Sequence, residues 1–470
     1  MKILFSNPPW WTQEDGQIRA GIRAGSRWPF TMRTNSVPDQ PANLEYQPYP
    51  FFMGYAAAYA QAKIDGAQVI FRDSIARRES YATWLDYISE LKPDFVVIES
   101  ATPSWDHDKH CLKLIKDAYA DAYIIVTGTV TVAKWSEITV LGHSAVLGEY
   151  EKGVVRVIQG GERGMIAHDF LTSDEMNAQP FPMFDERYAL TYWDACPSGQ
   201  DTPHLQIWTN RGCYWRCVFC AWPAVMTNND PDGTGKRNVR FYSADYVEEM
   251  IRARLLINPG IQSIYIDDDT FNLGDKHTLA ISAVMKRIGL PWSAMCRADT
   301  VKESTWLAMK ESGCIGVKLG MESGSQYVVD KIVNKRLDIG DVEQRVLPYL
   351  KSIGLNVHTT WTVGLPGETP AQSNETLRMI ERLYAAGLHQ THQLSGTALI
   401  EGTPLDTLSK QGTLTAYPGA SMAGFVVDGD GQHKIEGMQK ALPAPKSEPL
   451  AIETSELIET EHTEEQRATD

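Results

Sequence analysis

The sequence predicts an α/β protein in two parts, a doubly wound domain followed by a partial parallel barrel. Three observations carry that expectation. Short apolar runs alternate with helix-period segments from the first residues onward. The alternation fades near residue 161 and resumes at Leu205. Three cysteines then crowd the loop behind the first strand of the second part.

In the first part the apolar runs are Lys2–Phe5, Gln68–Phe71, Asp94–Ile98, Tyr123–Val126 and Ala145–Leu147. Helices fit Gly54–Lys63, Tyr81–Leu91, Asp108–Tyr119, Val132–Val140 and Glu151–Gln159. Runs that are continuously apolar suit strands buried on both faces, hence a parallel sheet covered by helices. In such sheets a ligand lies beyond the carboxyl ends of the strands. Those ends are Asn7-Pro8-Pro9, Asp73-Ser74, Ser100-Ala101-Thr102, Gly128-Thr129 and Gly148-Glu149. Being mostly small or polar, they suit either a large ligand against the backbone or plain tight turns. Between Pro9 and about Phe51 a long Arg-, Gln- and Pro-rich connection includes Trp28, Phe30, Tyr46, Tyr49, Phe51 and Phe52. A lid over the strand ends and an ordinary packed loop both fit it.

Residues 161–204, punctuated by Pro180, Pro182 and Pro197, read as a linker. Strands then fit Leu205–Trp208, Ser263–Ile266, Trp292–Met295, Ile315–Leu319, Val357–Val363 and Gln393–Leu399. Helices fit Ala244–Leu256, Thr278–Ile288, Glu303–Glu311, Gln326–Ile332, Ile339–Ile353 and Pro370–Ala386. This succession suggests a barrel or partial barrel with its chemistry at the strand carboxyl ends. The expected divisions are 1–160, 161–204, 205–402, an extension over 403–440 and a tail over 441–470. From Pro445 onward eight acidic residues face two basic ones with no apolar face, which predicts a disordered, solvating tail.

Composition narrows the function. The 470 residues are 43% hydrophobic and 22% charged, enough to bury two cores. Lys and Arg number 44 against 59 Asp and Glu, a formal charge of −15, which argues against a surface for bulk nucleic acid or anionic membrane. Seven cysteines cannot all pair and form no disulfide framework. The opening MKILFSNPPWW lacks the cationic start and apolar stretch of a secretory leader. No apolar run reaches the ~18 residues of a bilayer span. A cytoplasmic enzyme is the expectation. No phosphate-cradling loop follows a strand, and no Gly-x-Ser-x-Gly supports a hydrolase triad.

The sharpest signal is Thr209-Asn210-Arg211-Gly212-Cys213-Tyr214-Trp215-Arg216-Cys217-Val218-Phe219-Cys220. Three thiols at C-x3-C-x2-C spacing can hold a soft metal or an iron–sulfur cluster. Structural zinc normally takes four protein ligands, and His204 is the one nearby candidate for a fourth. Three ligands leave a metal position open for a substrate. Cys111, Cys196, Cys296 and Cys314 lack such spacing and read as small buried hydrophobes.

This spacing, behind the first strand of a barrel, resembles the radical S-adenosylmethionine (radical SAM) superfamily. The resemblance implies a partial (β/α)6 TIM-type barrel in which Cys213, Cys217 and Cys220 ligate a 4Fe–4S cluster. The methionine moiety of S-adenosylmethionine would chelate the open iron, with Phe219 against the adenine. Further stretches follow in the family's order. Asp267-Asp268-Asp269 stands where polar groups receive the cofactor's ammonium, although an acidic helix start reads equally from the residues. Arg297 stands where a guanidinium could clamp the cofactor carboxylate, or make an ordinary salt bridge. Glu322 and Ser323 resemble ribose-facing residues, and Gly364 opens a Gly-rich segment like that beside the adenine. His358, Trp361, His389 and His392 could line the pocket or simply pack.

A doubly wound domain that opens with Asn-Pro-Pro before such a barrel resembles the cobalamin-dependent, methyltransferase-like subgroup. It implies a Rossmann-like cobalamin-binding domain whose contacts would be Asn7, Pro8, Pro9, Ser100, Ala101, Thr102, Gly128, Thr129, Gly148 and Glu149. The Asp-x-His-x-x-Gly motif that supplies an axial histidine is absent, and Gly128-Thr129 replaces a Gly-Gly pair. The resemblance spans about residues 1–400. It implies cleavage of S-adenosylmethionine to a 5′-deoxyadenosyl radical and methyl transfer from methylcobalamin to an unactivated carbon. A flavodoxin or ferredoxin would supply electrons, and the substrate would be a small molecule, natural product, lipid or sugar. A rearrangement or cyclisation shares every visible motif. A non-catalytic iron–sulfur sensor would not need Arg297 or the acidic triplet, and a zinc-bound interaction module would hold no iron.

Overall fold

The protein is described from a computed structural model. The structure describes residues 1–14, 17–21, 33–34, 38–39, 47–193, 202–221, 225–226, 237–397, 400–411 and 426–428. The acidic tail, Cys196, Trp28, Phe30 and Tyr46 lie outside them.

The first sheet contains β1 (Lys2–Asn7), β2 (Gln68–Asp73), β3 (Phe95–Glu99), β4 (Tyr123–Thr127), β5 (Ser144–Val146) and β6 (Met165–Ile166). All pair in parallel in the order β2-β1-β3-β4-β5-β6. The direction of travel reverses between β1 and β3, which opens a crevice at their carboxyl ends. Alternate side chains feed two cores. Ile3, Phe5, Val97 and Ile125 pack with helices Phe51–Lys63 and Glu151–Ile158. Leu4, Val96, Ile98 and Val126 pack with Tyr81–Leu91, Trp105–Ala118 and Val130–Val140. Both faces are thus covered, as the unbroken apolar runs require.

The barrel strands are β7 (His204–Ile207), β8 (Ser263–Ile266), β9 (Trp292–Cys296), β10 (Cys314–Glu322), β11 (Asn356–Val363) and β12 (Thr391–Gly396). They pair in parallel in chain order, and β13 (Val426–Asp428) closes the row antiparallel to β12. Ile264, Ile266, Ala294, Val317, Leu319 and Val357 face the outer helices in a core continuous with the first domain. Tyr265, Ser293, Lys318 and His358 alternate with them and face the other way, giving the barrel a polar interior. Helix starts are local: Ser80, Ser243 and Thr369 each accept a backbone N–H of the first turn.

Two expected connections contain regular structure. The stretch after Pro9 holds a small antiparallel sheet of Trp11–Glu14, Gln17–Gly21 and Arg33–Thr34. The stretch read as linker holds β6 and a helix, Ser173–Ala178, with a capping box from Thr172 and Glu175. No helix among the described residues is long and apolar enough to cross a membrane.

Candidate functional site

The cysteine loop leaves the carboxyl end of β7. Its root, Asn210–Arg211, pairs antiparallel with Arg240–Phe241. Gly212 then has φ +95°, and a Cβ there would stand 2.4 Å from the Asn238 carbonyl oxygen, so only glycine makes this turn. Cys213, Cys217 and Cys220 follow, each partly exposed. The Trp215 N–H points at the Cys213 sulfur, and the Thr270 hydroxyl is 3.5 Å from it. Burial pushes the Cys213 thiol up and the Cys217 thiol to about 11. Free thiols of this kind are protonated at neutral pH, so a bound metal displaces their protons. Among the described residues no three His, Cys, Asp or Glu side chains are gathered closely enough to grip an ion. The donor set still fits an iron–sulfur cluster: three soft donors on one loop, backed by an apolar shell. Cys217, Val218 and Phe219 pack against Val328, Ile332, Val333, Leu365 and Leu405.

The acidic triplet behind β8 brackets this loop. Asp268 Oδ1 accepts the backbone N–H of Thr209 at 2.6 Å and of Asn210 at 3.2 Å. Its Oδ2 accepts the Thr209 hydroxyl at 2.5 Å and Asn210 Nδ2 at 2.9 Å. Asp269 accepts the Gly212 N–H at 3.1 Å. Both oxygens of Asp268 thus anchor the loop. Asp269 spends one oxygen on the same task, and Asp267 is fully buried behind β8. Half-buried His277 meets the Thr209 hydroxyl at 2.9 Å, and desolvation lowers its pKa to about 4, leaving a neutral ring.

Arg297 also has partners. It bonds Asp299 at 2.5 and 2.9 Å, donates to the carbonyls of Lys335 and Arg336, and lies 4.2 Å from the Trp215 ring centre. These contacts hold the guanidinium beside the cysteine loop. Glu322, with φ +68°, pairs with Lys335 at 2.6 Å. Ser323 is wholly buried, with its hydroxyl 3.0 Å from that of Thr376. Gly364, at φ +77°, starts a turn closed by Glu368, whose Oε2 accepts the Leu365 N–H at 3.0 Å. His389 and His392 stack at 5.4 Å, and Thr359 joins His389 to Trp361. These three are packing residues, whereas His358 faces the barrel interior beside Lys318. Cys111, Cys296 and Cys314 are buried, as expected.

The first sheet brings Asn7, Pro8, Pro9, Ser100, Ala101, Thr102, Gly128 and Thr129 to one edge. A Cβ on Gly128, at φ +92°, would stand 2.3 Å from the Ser100 carbonyl oxygen. The buried hydroxyl oxygens of Thr102 and Thr129 have no hydrogen-bond partner, which suits a polar ligand seated there. Asn7 Nδ2 donates to Asp73 at 2.8 Å, and Ser100 donates to Asp108 at 2.5 Å. Gly148 and Glu149 follow β5 and meet residues of the barrel half. A Cβ on Gly148 would meet His168 at 2.4 Å and the Met226 carbonyl oxygen at 2.8 Å. Glu149 ion-pairs with Arg240 and, at 3.1 Å, with Arg211, which reaches Glu151 at 2.6 Å. Burial alone would raise Glu149, but the two guanidinium groups outweigh it and hold the carboxyl low. Phe52, Tyr55, Trp208 and Tyr242 surround the Arg211 guanidinium at 4.9–5.9 Å. The knot joins the carboxyl end of β5 to the root of the cysteine loop.

Residues 209–380 match the radical SAM superfamily. This region is a radical SAM domain. An uncharacterized methyltransferase of Pyrococcus horikoshii is 26% identical over 355 residues, covering 71% of this chain and 73% of that protein. The radical S-adenosylmethionine methyltransferase TsrM of Kitasatospora setae, solved with cobalamin and a [4Fe-4S] cluster bound, superposes with a TM-score of 0.62. That match has 17% identity and covers 89% of this chain and 76% of TsrM. OxsB, a cobalamin-dependent S-adenosylmethionine radical enzyme solved with aqua-cobalamin and S-adenosylmethionine, gives 0.57 at 15% identity, over 78% of this chain and 53% of OxsB. The fold shared with both structures is a Rossmann-like domain ahead of a radical SAM domain. Sequence reasoning missed Arg211, His277 and Lys335. Arg211 stood in the cysteine run itself, while Lys335 carries no local signal.

Proposed function

We propose that this chain is a cobalamin-dependent radical SAM methyltransferase that modifies an unactivated carbon of a small molecule. The observation that carries the reading is the placement of the three thiols at a barrel edge tied by Arg211 to the strand ends of a doubly wound domain. Cys213, Cys217 and Cys220 would hold the cluster, and the crevice at Asn7–Pro9, Ser100–Thr102 and Gly128–Thr129 would hold cobalamin. Together with S-adenosylmethionine these groups would supply radical formation and a transferable methyl group. The chain's own residues orient and enclose: Asp268 and Asp269 hold the loop, Phe219 and its apolar neighbours exclude water, and Gly364 admits close approach. Phe219, Asp267, Asp268, Asp269, Arg297, Glu322, Ser323 and Gly364 stand as the candidate S-adenosylmethionine contacts. A flavodoxin or ferredoxin in the cytoplasm would be the electron donor. The likeness to an anaerobic magnesium-protoporphyrin IX monomethyl ester cyclase of Rubrivivax gelatinosus, 23% identical over 364 residues, favours a rearrangement or cyclisation as the second reading.

The test is anaerobic reconstitution with iron and sulfide, then incubation with reductant, hydroxocobalamin and S-adenosylmethionine. Mass spectrometry reads 5′-deoxyadenosine, and gel filtration reads cobalamin retention, with Cys217→Ala as control. Cysteine-dependent 5′-deoxyadenosine with retained cobalamin supports the proposal. Retained cobalamin without 5′-deoxyadenosine leaves a methyltransferase that does not use the radical. Cleavage without retention removes the cobalamin assignment.

A further inference from the structure

We propose that Lys335 and Glu322 form a buried charge pair that sets the reduction potential of the cluster held by Cys213, Cys217 and Cys220. The inference rests on the cluster reading above. Three non-glycine residues here have left-handed backbones: Glu322 at φ +68°, Asn334 at +57° and Arg336 at +56°. Such conformations persist only where surrounding contacts over-determine them. The contacts are visible. Val218 donates its N–H to the Val333 carbonyl at 2.9 Å, and Asn334 Nδ2 donates to the Arg216 carbonyl at 3.3 Å. These two bonds flank Cys217. Arg297 donates to the carbonyls of Lys335 and Arg336 at 2.9 and 3.2 Å, fixing the segment from its other side.

Lys335 is thereby aimed inward, with its Nζ 2.6 Å from Glu322 Oε1. Both residues are more than nine-tenths buried. Gly320 makes the room, since a Cβ there would lie 2.6 Å from Lys335 Nζ and 2.4 Å from Glu322 Oε1. The two bonds from residues 333 and 334 to the loop on either side of Cys217 place the pair directly behind that cysteine. A buried ion pair gives little net stability against an apolar replacement, so folding alone does not account for it.

Adding one electron to a thiolate-bound cluster makes it more negative, and cluster potential follows nearby charge. The ammonium favours the reduced form, and the carboxylate opposes it. The experiment uses the full chain and Lys335→Gln, Lys335→Arg and Glu322→Gln, each reconstituted with iron and sulfide. Titration with titanium(III) citrate, without S-adenosylmethionine, is followed by electron paramagnetic resonance. Lys335→Gln should move the midpoint to more negative potential, Glu322→Gln to more positive potential, and Lys335→Arg should stay near the parent. Shifts of the same sign, or none, overturn the proposal. If Lys335→Gln does not fold, an unchanged or lowered potential in Glu322→Gln overturns it alone. A parent chain that takes up no iron defeats the cluster reading itself, a failure seen before any variant is compared.

Discussion

Asp268 accepts two backbone N–H groups and two side-chain donors from the residues that launch the cysteine loop. An isosteric Asp268→Asn would keep the shape but lose charge and acceptor capacity. The apo chain should lose about 1–3 kcal/mol in urea unfolding, and iron uptake on reconstitution should fall with it. Cys217→Ala should abolish most cluster absorbance while leaving the unfolding midpoint of the apo chain nearly unchanged. The cysteines were legible because their spacing is a local property of the chain. The acidic triplet was legible as polar groups at a strand end. That Asp268 turns back to Thr209 was not legible, because the two are 59 positions apart and no local pattern encodes the contact. The pairing of Arg297 was hidden for a related reason, since its partner Asp299 stood two residues away and only the folded backbone brings the two side chains face to face.

At the scale of elements, apolar strands as short as β5 were readable, whereas the two-residue β6 was not. Strands β1, β3, β4 and β8 announce themselves as runs of Val, Ile, Leu and aromatic residues, and parallel pairing follows from their burial. The two-residue β6 and the Arg- and Gln-rich strands Trp11–Glu14 and Gln17–Gly21 lack that signal, because an edge or small sheet needs no apolar run. The Gly212 turn is an element in its own right, since it sets the exit of the cysteine loop. Gly212→Ala should destabilise by more than about 1 kcal/mol, from left-handed φ and from the contact with Asn238. Differential scanning of the apo chain would read it, and unchanged melting would refute the assigned turn.

Over the whole molecule, burial lowers the pKa of His143 and His277 to about 4 and of His204 and His389 to about 3. Each is neutral in the fold and has an ordinary value near 6.5 when unfolded. The unfolded chain therefore binds more protons below that value, and stability falls as pH drops from about 6.5 towards 4. Asp73 works in the opposite sense. Burial raises it to about 6, so its effect favours the fold as pH falls from 6 towards its ordinary 3.8. Burial also lowers His168 and His358 and raises Glu186 and Glu368, so six histidines against three carboxyls predict a net loss of thermal stability between pH 7 and pH 5, which calorimetry would check. The knot between the domains gives a second whole-molecule prediction. Glu149→Gln leaves Arg240 and Arg211 buried with one charge too few and should cost about 3–5 kcal/mol in denaturant unfolding. The same knot bears on how such a protein can be cut or recombined. Arg211 belongs to the barrel, while the carboxylates that neutralise it and two of its aromatic neighbours, Phe52 and Tyr55, belong to the other half. A barrel expressed alone would open this centre to solvent two residues from Cys213. A chimaera that grafts a foreign first domain must therefore bring its own equivalents of Glu149 and Glu151, so inheritance of the two halves is linked even though each has a recognisable fold.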